Sequence, residues 1–300
     1  MIIAYCFIGP LPEYAIDTVH QTRLFYKGPI YFIISDMDSP YCKQLESYNV
    51  TIVPYITVLD KEFDNCISAN NDRFDIVHGL HGREKLFIYS FERFAVLKQM
   101  MLQHNLSNVF FLELDNLIYA NPLQWLSSFS LKEMAYMYDK EDRCCSGICF
   151  IKDTTILTEF IDYCITFINT TTKFVSEMGA LYEFWQLHTD RIQILPTHWP
   201  SEVSPTVHEH YHLYQSVFDS APMGVYLGGY DPYHTQGIIK KGLQWPGNDI
   251  NYTCYQYKWE KDANGLSIPY ILYDDTWIRI NNLHIHSKDL VSNLSRPRIS

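Results

Sequence analysis

No run of lysine and arginine occurs in this chain, and its formal net charge is -11. Nucleic-acid binders depend on a basic face, so a polyanion is not the expected partner. No apolar stretch approaches the roughly 18 residues of a spanning helix, and no membrane span is expected. The apolar start, Met1-Ile-Ile-Ala-Tyr-Cys-Phe-Ile8, has no basic region and is interrupted by Gly9-Pro10 and Glu13. It fits a first strand better than a targeting segment. The eight cysteines include no C-x-x-C pair, and Cys144-Cys145-Ser-Gly-Ile-Cys149 lacks a zinc-site spacing. Reduced thiols in the cytoplasm are therefore expected; the N-x-S/T triplets at Asn49 and Asn169 matter only for a secreted chain. There is no linker, internal repeat or low-complexity tract.

What is present is a large, ordered chain. Its 300 residues are 47% hydrophobic and 15% aromatic, enough for an ample core. Short apolar runs alternate with helical patterns: strand 2–8, helix 13–25, strand 30–34, helix 41–48 and strand 50–54. That order predicts an α/β fold with a mostly parallel central sheet and helices on both faces. Residues 58–84 are polar and read as a long functional loop. Helix 86–104 follows, with a broad apolar face. A mixed segment after Pro122 carries strands at 134–138 and 146–151, helices near 154–168 and 177–188, and strand 192–195. Beyond 197 the chain is rich in His, Tyr, Gly, Pro and Asn, with few long periodic segments. One domain in two halves, about 1–121 and about 122–300, is the expected organisation.

The chemistry concentrates at Val109-Phe-Phe-Leu-Glu113-Leu-Asp115, an apolar strand running into two acids. On a strand, residues i and i+2 project to one side, so both carboxylates can reach one hard cation. The other reading is a strand surfacing into water. A second strand also ends in acids, at Ser35-Asp36-Met-Asp38, where an Asx turn is the alternative to ligand binding. His284 and His286 lie two apart near Lys288, and in an extended segment both rings face one way.

In this order these pieces resemble the GT-A glycosyltransferases. Helix Ser90-Phe-Glu-Arg-Phe94 through Leu112-Glu-Leu-Asp115 is similar to that family's helix followed by its D-x-D motif, with Glu113 in place of the first aspartate. Leu283-His-Ile-His-Ser-Lys288 resembles the C-terminal segment that returns to the metal in many members. The resemblance implies a Rossmann-like domain that uses Mn²⁺ or Mg²⁺ and a nucleotide sugar, UDP- or GDP-linked. It would transfer a hexose or pentose to a hydroxyl of a glycan or other acceptor. Glu113, Asp115 and one of His284 or His286 become metal ligands, and Lys288 a charge for the diphosphate. Asp36, Asp38 and the Ile8-Gly9 backbone fall where base and ribose would lie, and Arg93 or Arg83 near the donor. An inverting enzyme needs a base, for which Glu177, opening an acid-bearing helix, and Asp219, in a glycine-rich stretch, are rivals. Trp185, Trp199 and Tyr230 are candidates for stacking on sugar rings, with core packing as the alternative. Two other classes remain: a sugar- or nucleotide-binding protein without catalysis, and a nucleotidyltransferase. The last usually carries a glycine-rich, basic phosphate loop after the first strand, which Gly9-Pro10-Leu-Pro12 is not.

Overall fold

Strand β1 (Ile2–Phe7) is followed by helix α1 (Tyr14–Phe25), β2 (Ile30–Ile34), α2 (Tyr41–Ser47) and β3 (Val50–Pro54) in the computed structural model, which describes residues 1–74, 85–229 and 250–298. Each strand is a nearly continuous apolar run, as required when both sheet faces are covered. Helices α3 (Lys61–Ala69) and α4 (Leu86–Gln103) precede β4 (Val109–Leu112), and a short β5 (Asn116–Ile118) follows. The antiparallel hairpin β6 (Met134–Lys140) and β7 (Arg143–Ile151) leads to α5 (Thr154–Thr170), α6 (Glu177–Leu187) and β8 (Ile192–Leu195).

Seven of these strands form one sheet in the order β3-β2-β1-β4-β7-β6-β8. Neighbours are parallel except where β7 pairs with β4 and with β6. Alternation along β1 and β4 sends Ile3, Tyr5, Phe110 and Leu112 to the face covered by α1 and α2. Ala4, Val109 and Phe111 point to the face covered by α3 through α6. The chain runs outward from β1 to β3, then returns past β1 to β4. The carboxyl ends of β1 and β4 thus flank the point where strand order reverses, the usual ligand crevice of such sheets.

The C-terminal third builds a second layer. Helices α7 (Tyr211–Tyr214) and α8 (Pro222–Gly228) flank β9 (Ser216–Val217). Strands β10 (Tyr257–Lys261), β11 (Ser267–Tyr273) and β12 (Thr276–Ile280) join β9 in a four-stranded sheet, and β13 (Asn282–His284) pairs antiparallel with β5. A third apolar cluster, including Tyr119, Trp199, Val217, Ile271, Ile280 and Leu283, fills the space beneath.

Two expectations are corrected. Residues 61–69 are helical: Asp60 accepts a hydrogen bond from Phe63 N–H at 3.2 Å, and Phe63, Cys66 and Ile67 form the buried stripe. The polar remainder of that segment hid a stripe only three residues wide. The acidic strand ends at Leu112, so Glu113 and Asp115 stand in a turn rather than on a strand. The region after 197 contains a hairpin sheet, whose signals were short: Asn264-Gly265 ends one turn, and Asp274 and Asp275, both at positive φ, form another. All eight cysteines are free, and among the described residues no helix is long and apolar enough to cross a membrane.

Trp199, proposed above as a sugar platform, is 1% exposed and belongs to this third cluster. His198 stacks on it at 3.8 Å and donates Nδ1–H to the Trp199 carbonyl at 2.7 Å. Its Nε2 is buried with no partner among the described residues, and burial takes the pKa down to about 4. Since the unfolded value is about 6.5, the neutral ring stabilises the fold above that pH, and the contribution is lost as pH falls toward 4. His198→Phe is expected to flatten this acid limb by about 2 kcal/mol, read from urea unfolding at pH 7 and pH 4.5. An unchanged difference between the two midpoints would contradict it.

Candidate active site

Four hydrogen bonds hold the acidic turn. Glu113 N–H donates to the Gly147 carbonyl at 3.0 Å and Asn116 N–H to the Glu113 carbonyl at 3.0 Å. Ile285 N–H reaches the Asp115 carbonyl at 2.8 Å, and the Thr18 hydroxyl of α1 donates to the Leu114 carbonyl. The turn is thereby tied to β7, to the segment after β13 and to α1, which fixes where its carboxylates point.

The pairing of β5 with β13 sets His284 opposite Asn116 and carries the histidine to the same place. Its backbone is gripped by Asp219. The Asp219 Oδ1 accepts from Ala221 and Met223 N–H at 3.1 and 2.9 Å, and Oδ2 from Gly224 and His284 N–H at 2.7 and 2.9 Å. Burial pushes the Asp219 pKa up to about 6 against these backbone donors. Four donors and no acceptor suit only the carboxylate form. Gly224 is needed for this approach, since a side-chain carbon there would lie 2.2 Å from the His284 carbonyl oxygen. The glycine-rich stretch thus does reflect close backbone contact, but with the chain's own β13. Fully buried and saturated, Asp219 has no lone pair to offer an acceptor hydroxyl.

The charged groups alternate in sign along one chain. Glu177 meets Arg93 Nη2 at 3.1 Å, and Arg93 Nη1 meets Glu113 at 2.5 Å. The His284 Nε2 lies 3.0 Å from Glu113 and 3.3 Å from Asp115, and the Lys288 ammonium closes the series on Asp115. Burial opposes ionisation of Glu113, but Arg93 and then His284 outweigh it and take its pKa to about 2. Lys288 and His284 likewise overcome burial to hold Asp115 well below the usual range. The two carboxylates reverse the effect of burial on His284 and keep it well above an ordinary imidazole. Glu177 is raised, because burial exceeds the pull of Arg93.

Glu113, Asp115 and His284 each offer a ligand atom, all within 4.8 Å of one another. Two hard oxygens with one imidazole suit Mn²⁺ or Mg²⁺, the nitrogen favouring manganese. The 3.0 and 3.3 Å separations from His284 match neighbouring ligands around an octahedral ion with bonds of about 2.1 Å. The donor set therefore fits a divalent cation. His286 stands outside this group: its ring meets His284 edge-on at 4.5 Å, and burial, with the charges of His284 and Lys288, lowers it to about 3. Lys288 holds φ +65°, a conformation costly for a lysine and of the kind found at functional sites.

At the adjoining strand ends, Gly9 N–H donates to Ser35 Oγ at 2.8 Å and Leu11 N–H to Asp36 Oδ2 at 3.1 Å. Ile8, Gly9 and Asp36 are half-buried and Asp38 is exposed. Asp36 thus links two loops at the carboxyl edge of the sheet. Trp185 is half-buried against Tyr138 and Tyr182. Arg83 and Tyr230 lie outside the described residues.

Sequence reasoning missed Asn116, Asn282 and Gly147. Asn282 Nδ2 donates to Asn116 Oδ1 and to the Asp219 carbonyl, both at 2.9 Å, and its Oδ1 accepts Asp219 N–H at 3.0 Å. Asn116 follows Asp115 directly, the single sequence cue available.

No protein-family model and no curated protein matches the chain. Among solved structures it is similar to the PaToxG glycosyltransferase, at 11% identity over 62% of this chain and 69% of that one, with a TM-score of 0.40. It is also similar to the glycosyltransferase GlyE of Streptococcus pneumoniae TIGR4, at 11% identity over 65% of this chain and 44% of GlyE, TM-score 0.38. For the apo form of GlyE the values are 11%, 63% and 43%, with a TM-score of 0.39. This chain thus spans under half the length of the GlyE structures. The likeness concerns the path of the backbone, and no substrate follows from it.

Proposed function

We propose that the chain is a divalent-metal-dependent glycosyltransferase, moving a hexose or pentose from a nucleoside-diphosphate sugar to a hydroxyl of a glycan or other acceptor. The supporting observation is that Glu113, Asp115 and His284 converge, with Lys288 beside them, next to the switch point of the sheet. A bound Mn²⁺ or Mg²⁺ would neutralise the charge that develops on the departing diphosphate. Glu113, Asp115 and His284 would hold that ion, and Lys288, now on Asp115, would serve a phosphate oxygen as a point charge. Arg93 balances Glu113 and Glu177 and fixes the rotamers of both. Glu177 is the base in this reading, its raised pKa suiting it to take a proton, whereas Asp219 positions His284. Residues up to about 121 bind the donor, with the Ile8-Gly9 backbone, Asp36 and Asp38 toward ribose and base. Residues from about 122 form the acceptor side and return His284 and Lys288.

A second reading has its own support: Arg93, His284 and Lys288 already neutralise the acids without any ion, as in a binding protein with no turnover. Thermal shift separates the two. UDP or GDP with Mn²⁺ at about 100 times its Kd is expected to add about 2.7 kcal/mol. For a chain of this size that is a rise in Tm of about 4 °C, lost when EDTA replaces the metal. No shift with any nucleotide would refute nucleotide-sugar binding, and a shift indifferent to EDTA would favour the metal-free reading.

A further inference from the structure

A cleft of about 300 Å³ opens at one end of the four-stranded sheet, between the start of β10 and the turn joining β11 to β12. Cys254, Tyr255, Gln256, Tyr273, Asp274 and Asp275 line it. Its volume is at the low end for small-molecule sites. The cleft lies at the start of β12, whereas the segment that returns to the acidic turn leaves from the other end of that strand. It shares no residue with the Glu113, Asp115 and His284 cluster.

The aromatic wall of the cleft is held from behind. Trp199 packs edge-on against Tyr255 at 4.9 Å and obliquely against Tyr273 at 4.5 Å. His198 stacks on Trp199 and comes within 6.4 Å of both tyrosine rings. Trp199 is buried and both tyrosines are half-buried, so each phenol ring keeps one part packed and one part open to solvent. The indole expected to stack on sugars thus supports two rings that can. Polar groups surround them. The side chains of Gln256, Asp274 and Asp275 are exposed and make no hydrogen bond or ion pair among the described residues. Neither tyrosine hydroxyl has a hydrogen-bond partner among them.

This lining discriminates between ligand classes. Among the described residues no lysine or arginine lines the cleft, and two carboxylates repel an anion, which disfavours any phosphate-bearing ligand. A sugar ring turns C–H groups toward an aromatic face and carries hydroxyls at its rim that donate to carboxylates and pair with an amide. A quaternary ammonium also suits acids beside aromatic rings. It would leave the Gln256 amide and both phenol hydroxyls unused. We propose that the cleft binds a sugar unit of a glycan, with Tyr255 and Tyr273 as the stacking surface and Asp274, Asp275 and Gln256 as partners for its hydroxyls. Its role, holding a distal part of the acceptor, rests on the glycosyltransferase reading above; the binding itself does not.

Cys254 supplies the readout, being exposed in the cleft while the other cysteines are buried or half-buried. Its alkylation by iodoacetamide is followed by mass spectrometry in the full chain, without nucleotide or metal. The probes are trisaccharides of glucose, galactose, mannose, xylose and N-acetylglucosamine, with choline and UDP as cationic and anionic controls. At least one trisaccharide, at ten times its Kd, should slow the reaction about 10-fold. Tyr255→Ala and Tyr273→Ala should raise that Kd by about 3- to 10-fold, and Asp275→Asn, which tolerates the same positive φ, by about 10-fold. If the tyrosine variants do not fold, Asp275→Asn and Gln256→Ala, both at exposed positions, carry the comparison. No protection by any trisaccharide, protection by choline or UDP alone, or a Kd unchanged in the folded variants overturns the proposal. A chain that binds a trisaccharide here but turns over no sugar nucleotide refutes the catalytic reading and leaves the cleft assigned.

Discussion

Asp115→Asn is expected to remove the metal-dependent part of the thermal shift and to lower turnover by about 100-fold or more, the scale of losing one preorganised charge-stabilising contact. Asp115 is 7% exposed and meets Lys288 and His284 at once. Asparagine keeps the shape but loses the charge that binds a hard cation and anchors both partners. The backbone should be undisturbed, because the bond from Ile285 N–H ends on the Asp115 carbonyl, which the substitution leaves in place. The metal-free chain should therefore keep its fold. Metal-dependent shift and turnover equal to wild type would refute the ligand role.

The second large effect belongs to a residue outside the chemistry. Asp219→Asn leaves one carbonyl oxygen for four backbone donors. Either the Ala221 and Met223 N–H groups or those of Gly224 and His284 then face an amide that cannot accept. Two buried unpaired N–H groups cost about 2–6 kcal/mol together. The urea midpoint should fall accordingly, and Mn²⁺ affinity should fall further as His284 loses its backbone anchor. A catalytic base would behave oppositely, with turnover lost while stability and metal affinity stay at wild-type values. That outcome would restore Asp219 to the chemistry.

How much of this was legible follows the physics of each element. Strands 30–34, 50–54 and 192–195 were readable to the residue, because apolar runs end against Gly28-Pro29, Pro54 and Pro196. Glu113, Asp115 and His284 were legible as residue types with metal affinity in a familiar order. What the sequence does not encode locally is how these pieces are held. Asn116 and Asn282 are 166 positions apart and meet through one hydrogen bond between their side-chain amides. The donors to Asp219 come from α8 and from β13, and no local pattern announces that pairing. The acids were expected on a strand; the structure turns them out of it, and the pairing with β13 brings the histidine that an i, i+2 argument could not place. Helix α3 was hidden for another reason: an amphipathic helix with three apolar positions resembles a polar loop in composition.

The most direct measurement is a screen of nucleotide sugars for slow hydrolysis by the wild-type chain, with nucleoside diphosphate as the product detected. The account predicts release from at least one sugar nucleotide, stopped by EDTA and restored by Mn²⁺. Tight metal-dependent nucleotide binding with no release from any sugar nucleotide, or release that EDTA leaves untouched, would contradict it.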